Sequence, residues 1–148
     1  MGLRAAVGRG PVALDTAAFI YFIEEHPRYA PLVAHLFSDA DRGVRLIVTS
    51  ALTLLEVLVV PYRAGDLPLA ERYEAILSRS SGVWLVELDR NQLRAAAQLR
   101  AAYQVRTPDA LQLAAALTQR CSAFVTNDRA MPAVPSLRIV QLSDYVGS

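Results

Sequence analysis

The chain has 148 residues, 53% of them hydrophobic and 20% charged, enough for one well-buried core and too apolar for a disordered segment. All 15 basic residues are arginine, which excludes every mechanism that needs a lysine amine, and the single cysteine, Cys121, excludes an internal disulfide or a cysteine-based zinc site. A net charge of +1 gives no overall basic footprint for nucleic acid.

The opening segment, residues 1–11, carries Arg4 and Arg9 but no secretory apolar stretch. No apolar run anywhere reaches the ~18 residues that span a bilayer. The expectation is one soluble, unexported, cytoplasmic domain over 1–148, with 1–11 as a flexible leader. Residues 12–14 (VAL) read as a first short strand after Gly10-Pro11, followed by a helix over 16–25 with Thr16 placed as its cap. A second helix over 29–42 ends at Gly43. Residues 45–49 (RLIVT) form the second strand. Ser50 then caps a very apolar helix that Pro61 stops.

A helix over 67–79 ends near Gly82, and 83–88 (VWLVEL) is the third strand. The alanine- and arginine-rich stretch 90–103 is a strong helix former. Thr107-Pro108 reads as a cap and first-turn proline, opening a helix to about Arg120. The fourth and fifth strands are 123–126 (AFVT) and 137–142 (LRIVQL). Short, β-branched strands that mostly do not alternate, with helices between them, describe a three-layer α/β/α sandwich around a five-stranded, mainly parallel sheet.

Open parallel sheets bind ligands beyond the carboxyl ends of their strands. Asp15 and Asp128 stand at such ends, after the first and fourth strands, although aspartate is equally at home there as a cap or turn residue. Asp109 lies in a first helical turn, where the helix dipole alone favours a carboxylate. Glu56 interrupts Leu54-Leu55-Glu56-Val57-Leu58-Val59-Val60, a helix apolar on nearly every face and therefore expected to be buried. An unpaired buried charge costs several kcal/mol. Glu56 thus needs an arginine partner (Arg63 or Arg45), a rim position facing water, or a functional role. Should these acids converge, they would protonate or bind a hard divalent cation, and oxygen ligands favour magnesium or manganese. His26 and His35 lack partners at the spacing of a metal site or a hydrolase triad.

At these positions the chain resembles the PIN-domain family and, within it, VapC-type toxins of prokaryotic toxin–antitoxin systems. The resemblance rests on Leu14-Asp15-Thr16, Glu56 inside an apolar helix, Thr107-Pro108-Asp109-Ala110-Leu111 leading into an alanine-rich helix, and Thr126-Asn127-Asp128-Arg129. It runs from about Val12 to Val146 and is silent on the leader. Met131 stands where the family often has an aromatic residue.

The resemblance implies that Asp15, Glu56, Asp109 and Asp128 meet at one end of the sheet. It also implies Mg2+- or Mn2+-dependent hydrolysis of RNA phosphodiesters, a homodimeric state, and an antitoxin partner that covers the acidic pocket. On that reading Asp15, Asp109 and Asp128 hold the cation and Glu56 orients or deprotonates water or completes the metal site. Thr16, Thr126 and Asn127 either support the acids, directly or through water, or act only as caps. A receiver domain would require a lysine, a haloacid-dehalogenase-like phosphatase a second aspartate where Ala17 stands, and a dinucleotide-binding domain a glycine-rich first turn. The rival that survives is a non-catalytic PIN-like module that binds RNA or protein.

Overall fold

The computed structural model describes residues 2–147. Five parallel strands form one sheet in the order β3-β2-β1-β4-β5, with β1 Val12–Leu14, β2 Ile47–Ser50, β3 Val83–Val86, β4 Ala123–Thr126 and β5 Arg138–Gln141. Side chains alternate between two cores, as pleated strands covered on both faces require. Val12, Leu14, Ile47, Ala123 and Val125 face one core, and Ala13, Val48 and Phe124 face the other.

The first core is closed by α1 Leu3–Val7, α2 Thr16–Ile23, α3 Ala30–Asp41, α4 Leu52–Ala64 and α5 Leu67–Ser78. The second is closed by α6 Arg90–Ala102 and α7 Thr107–Thr118, with Met131, Val134 and Leu137 from the segment before β5. A 3-10 turn, Leu142–Tyr145, follows β5. The α/β sandwich expected from the alternation is the one observed. Among the described residues no helix is long and apolar enough to cross a membrane.

Three local expectations are corrected. Asp15, not Thr16, is the N-cap of α2, because its Oδ1 accepts the Ala18 N–H at 3.2 Å and its backbone is extended. Pro61 does not stop α4. Its fixed φ suits a helix and its ring is buried, so one lost hydrogen bond is tolerated and the helix runs on to Gly65 in the left-handed conformation. Thr107 is already the first helical residue of α7, which starts without a side-chain cap; its Oγ1 instead accepts Arg100 Nη1 at 3.0 Å.

The leader contributes to the core. Leu3, Ala6 and Val7 are buried, and Arg4 joins Arg42 and Arg45 around the buried carboxylate of Asp39 at 2.8–3.2 Å. Although burial pushes the Asp39 carboxyl up, the Arg4 and Arg42 hydrogen bonds and the Arg4 and Arg45 charges outweigh it, and its pKa is lowered. A buried Gly82 lets the start of β3 pass α3: a Cβ there would stand 2.6 Å from the Ala40 carbonyl oxygen.

Candidate active site

Because β2 and β3 lie on one side of β1 and β4 and β5 on the other, the strand order reverses between β1 and β4. Leu14 pairs with Val125 in register across that line, so the residues leaving the two strands emerge side by side. Asp15 follows β1 directly, and Asp128 stands two residues beyond the end of β4. The crevice at such a reversal point is where open α/β sheets place ligands.

The carboxyl end of Asp15 is tightly held. Its Oδ1 takes the Ala18 N–H, and its Oδ2 accepts the Thr126 hydroxyl at 2.5 Å. Thr126 Oγ1 in turn accepts the Asp128 N–H at 2.9 Å, so one hydroxyl ties together the two strand-end acids. Asp128 Oδ1 accepts the Ala130 N–H at 2.9 Å. Asn127 points elsewhere: its Nδ2 donates to the Tyr21 hydroxyl at 3.3 Å and its Oδ1 accepts the Ser143 N–H at 2.9 Å. It fastens the β4 loop to α2 and to the turn after β5.

Asp15, Glu56 and Asp109 line one open cleft of about 350 Å³ with Thr16, Ala17, Arg106, Pro108 and Gln112. Asp128 does not line it, but its charge reaches both Asp15 and Asp109. Burial pushes the Asp15 carboxyl up against the lowering effect of its Thr126 and Ala18 hydrogen bonds. The charges of Asp128 and Asp109 push it further, to about 6. Asp109 is raised too, first by burial, then by Asp128 and Glu56, with Arg106 opposing. The structure therefore brings the four acids into one electrostatic neighbourhood.

Glu56 is half-buried and neither expected arginine serves it. Arg45 is engaged with Asp39, and among the described residues no ion pair joins Arg63 to Glu56. Instead Glu56 Oε1 accepts the Thr16 hydroxyl at 2.5 Å. The helix carrying it is also less buried than its composition implies: Leu55 and Val60 are 62% and 65% exposed, and Val59 and Tyr62 are exposed as well.

Below Thr16 runs a buried polar chain that sequence reasoning missed. Gln112 Nε2 donates to Thr53 Oγ1 at 2.8 Å, and its Oε1 accepts the Ser50 N–H and the Thr49 hydroxyl, both at 3.3 Å. Thr49 also donates to the Leu14 carbonyl at 2.9 Å and shares a 2.7 Å hydrogen bond with Thr53. Thr16 and Thr53 lie 3.3 Å apart. The network links the floor of the cleft to α4, α7 and β2. Gln112 had a visible signal, a polar residue in the apolar run Ala110-Leu111-Gln112-Leu113-Ala114, of the same kind that marked Glu56.

The donor set suits a hard cation: clustered carboxylates, all oxygen, carrying more negative charge than their surroundings neutralise. Among the described residues no three histidine, cysteine, aspartate or glutamate side chains stand together as a ready ligand group. Asp15 is presented through its hydrogen bonds, and the others would have to close upon an ion.

The PIN domain family model matches residues 12–137. Solved structures with the same fold include VapBC2 from Rickettsia felis bound to a DNA fragment from its promoter, at 18% identity and a TM-score of 0.68 over 88% of this chain and 98% of that one. DNA-bound VapBC from Salmonella typhimurium is similar at 23% identity and a TM-score of 0.62, over 90% and 98% of the two chains. VapBC-5 of Mycobacterium tuberculosis matches at 21% and 0.56, over 89% and 98%. A comparison with curated proteins gives no match. With the family model covering most of its length, and the acids at the reversal point of the sheet, this chain belongs to the PIN domain family.

Proposed function

We propose that this chain is a Mg2+- or Mn2+-dependent endoribonuclease, acting in the cytoplasm as the toxin of a toxin–antitoxin pair. The observation that carries the reading is the cleft at the reversal point of the sheet, where Asp15, Glu56 and Asp109 line one wall system and burial with the nearby acids pushes the Asp15 carboxyl up to about 6. Such a group gains from a cation that restores its ionised form.

Asp15, Asp109 and Asp128 would hold the cation. When bound, it supplies a lowered pKa for coordinated water and compensation for charge developing on the phosphate. The remaining chemistry belongs to the chain. Thr126 fixes the Asp15 carboxylate and the backbone of Asp128 through one hydroxyl. Thr16 occupies Glu56 Oε1, leaving Oε2 without a hydrogen bond among the described residues to take a proton from attacking water. Asn127 sets the path of the loop that carries Asp128. Water is the nucleophile, so the phosphodiester P–O bond breaks, water supplies the new P–O bond, and the departing oxygen leaves with a proton.

The antitoxin assignment draws on family membership and on the toxin–antitoxin structure that shares the fold, and the homodimer on the family resemblance alone. The exposed apolar residues of α4, Leu55, Val59, Val60 and Tyr62, suit a protein contact, since a patch of this kind is costly to leave in water. The test is cleavage of single-stranded RNA by antitoxin-free protein. Cleavage with Mg2+ or Mn2+, none in EDTA, and none by Asp109→Asn is the expected result. Intact RNA with both metals would replace this reading with the non-catalytic binding module.

A further inference from the structure

Arg106 is the one basic side chain lining the acidic cleft. Its guanidinium takes part in no hydrogen bond or ion pair among the described residues, yet it is near enough to Asp109 for its charge to oppose, without cancelling, the upward push on that carboxyl. Where arginines in this protein neutralise a carboxylate, they close on it: Arg4, Arg42 and Arg45 all stand within 3.2 Å of Asp39. Arg106 has Asp109 within electrostatic reach and closes on no carboxylate among the described residues.

Its backbone is nevertheless fixed. Arg106 immediately precedes α7 in an extended conformation, and Val105 beside it is buried. Arg100 clamps both flanks, donating from Nε to the Val105 carbonyl at 3.1 Å and from Nη1 to Thr107 Oγ1 at 3.0 Å. A held backbone with an unengaged, exposed guanidinium at an acidic wall is the arrangement for gripping an anion that the acids themselves repel. The planar fork of arginine matches two oxygens of a phosphate. With a net charge of only +1, the protein has little general attraction for a polyanion, so a single placed contact carries unusual weight.

We propose that Arg106 binds the non-bridging oxygens of an RNA phosphodiester in the cleft and holds it against the carboxylates. This rests on the nuclease reading, which it deepens. The probe is a fluorescein-labelled single-stranded oligoribonucleotide of mixed sequence. Its binding is followed by anisotropy against salt concentration in an Asp15→Asn background, which blocks turnover; cleavage is measured with Asp15 intact.

Arg106→Ala is expected to weaken binding ~10-fold or more and to flatten the plot of log K against log salt by ~0.7, the slope of one phosphate contact on a single strand. In cleavage, kcat/KM should fall ~10–100-fold, and Arg106→Lys should recover part of it. Arg9→Ala, an exposed arginine before β1 at the opposite end of the sheet, should leave both unchanged. Unaltered affinity and slope in Arg106→Ala would overturn the proposal, as would a shifted pH–rate profile with no change in slope, which would make Arg106 only a modifier of Asp109. If Arg106→Ala is inert while Asp15→Asn abolishes cleavage, the nuclease reading stands without this contact. If the unsubstituted protein cuts no RNA, that reading fails, and the salt slope still decides whether Arg106 touches phosphate.

Discussion

Asp15→Asn separates what the carboxylate does for function from what it costs the fold. The Asp15 carboxyl moves from an ordinary value of 3.8 to about 6 on folding, which corresponds to about 3 kcal/mol of destabilisation above pH 6 in metal-free protein. The sign follows from proton binding. A carboxyl with a higher pKa when folded binds protons more tightly in the native state, so its favourable contribution exists at low pH and is lost as the pH rises from about 4 through about 6. Asparagine has no charge to bury and can still accept the Ala18 N–H as a cap. It forfeits the charged acceptor of the Thr126 hydroxyl, at ~1 kcal/mol. Asp15→Asn should therefore be ~1–2 kcal/mol more stable than the parent at pH 7.5 in EDTA. That advantage should vanish or reverse near pH 4. The assay is urea unfolding followed by circular dichroism at both pH values. Adding Mn2+ at about 100 times its Kd should stabilise the parent by ~2.7 kcal/mol and leave Asp15→Asn unmoved. A variant less stable than the parent at pH 7.5 in EDTA, or a difference independent of pH, would show that the Asp15 charge does not burden the fold.

Gly82→Ala forces a Cβ against the Ala40 backbone and should cost ~2–3 kcal/mol in urea unfolding, with activity per folded molecule unchanged because Gly82 lies at the amino end of the sheet. Gln112→Ala strips partners from Thr53, Thr49 and the Ser50 N–H, all buried, and should destabilise by ~3 kcal/mol in the same assay. Thr16→Val releases Glu56 Oε1 and should lower RNA cleavage ~10-fold while changing stability by no more than ~1 kcal/mol, separating a positioning role from a structural one.

Much of this geometry is legible in the residue order. Apolar runs at 12–14, 45–49, 83–88, 123–126 and 137–142 each contain the observed strand or overlap nearly all of it. The two strand-end aspartates are therefore placed by residue order alone. Local patterns failed where tertiary context decides. Asp15 and Thr16 are both good capping residues in adjacent positions; only the backbone turn assigns the cap to Asp15 and frees Thr16 for Glu56. Apolar composition led to a fully buried α4, but hydrophobicity does not distinguish a side chain packed in the core from one left for another surface, and Leu55 and Val60 are of the second kind. The leader segment is too short to show a period, so the burial of Leu3, Ala6 and Val7 has no sequence signature. Arg106 has no sequence signature, because an arginine before a helix is ordinary and only the fold brings it to a cleft lined by acids.

On the proposed reading, Asp15, Asp109 and Asp128 act together on one divalent cation. Titration of Mn2+ into the metal-free protein at pH 7.5, with free Mn2+ read by electron paramagnetic resonance, tests it without any need for the RNA target. Saturable binding by the parent protein is expected, abolished by Asp15→Asn and Asp109→Asn and weakened at least ~10-fold by Asp128→Asn. Equal Mn2+ affinity in the parent and in Asp15→Asn would contradict it.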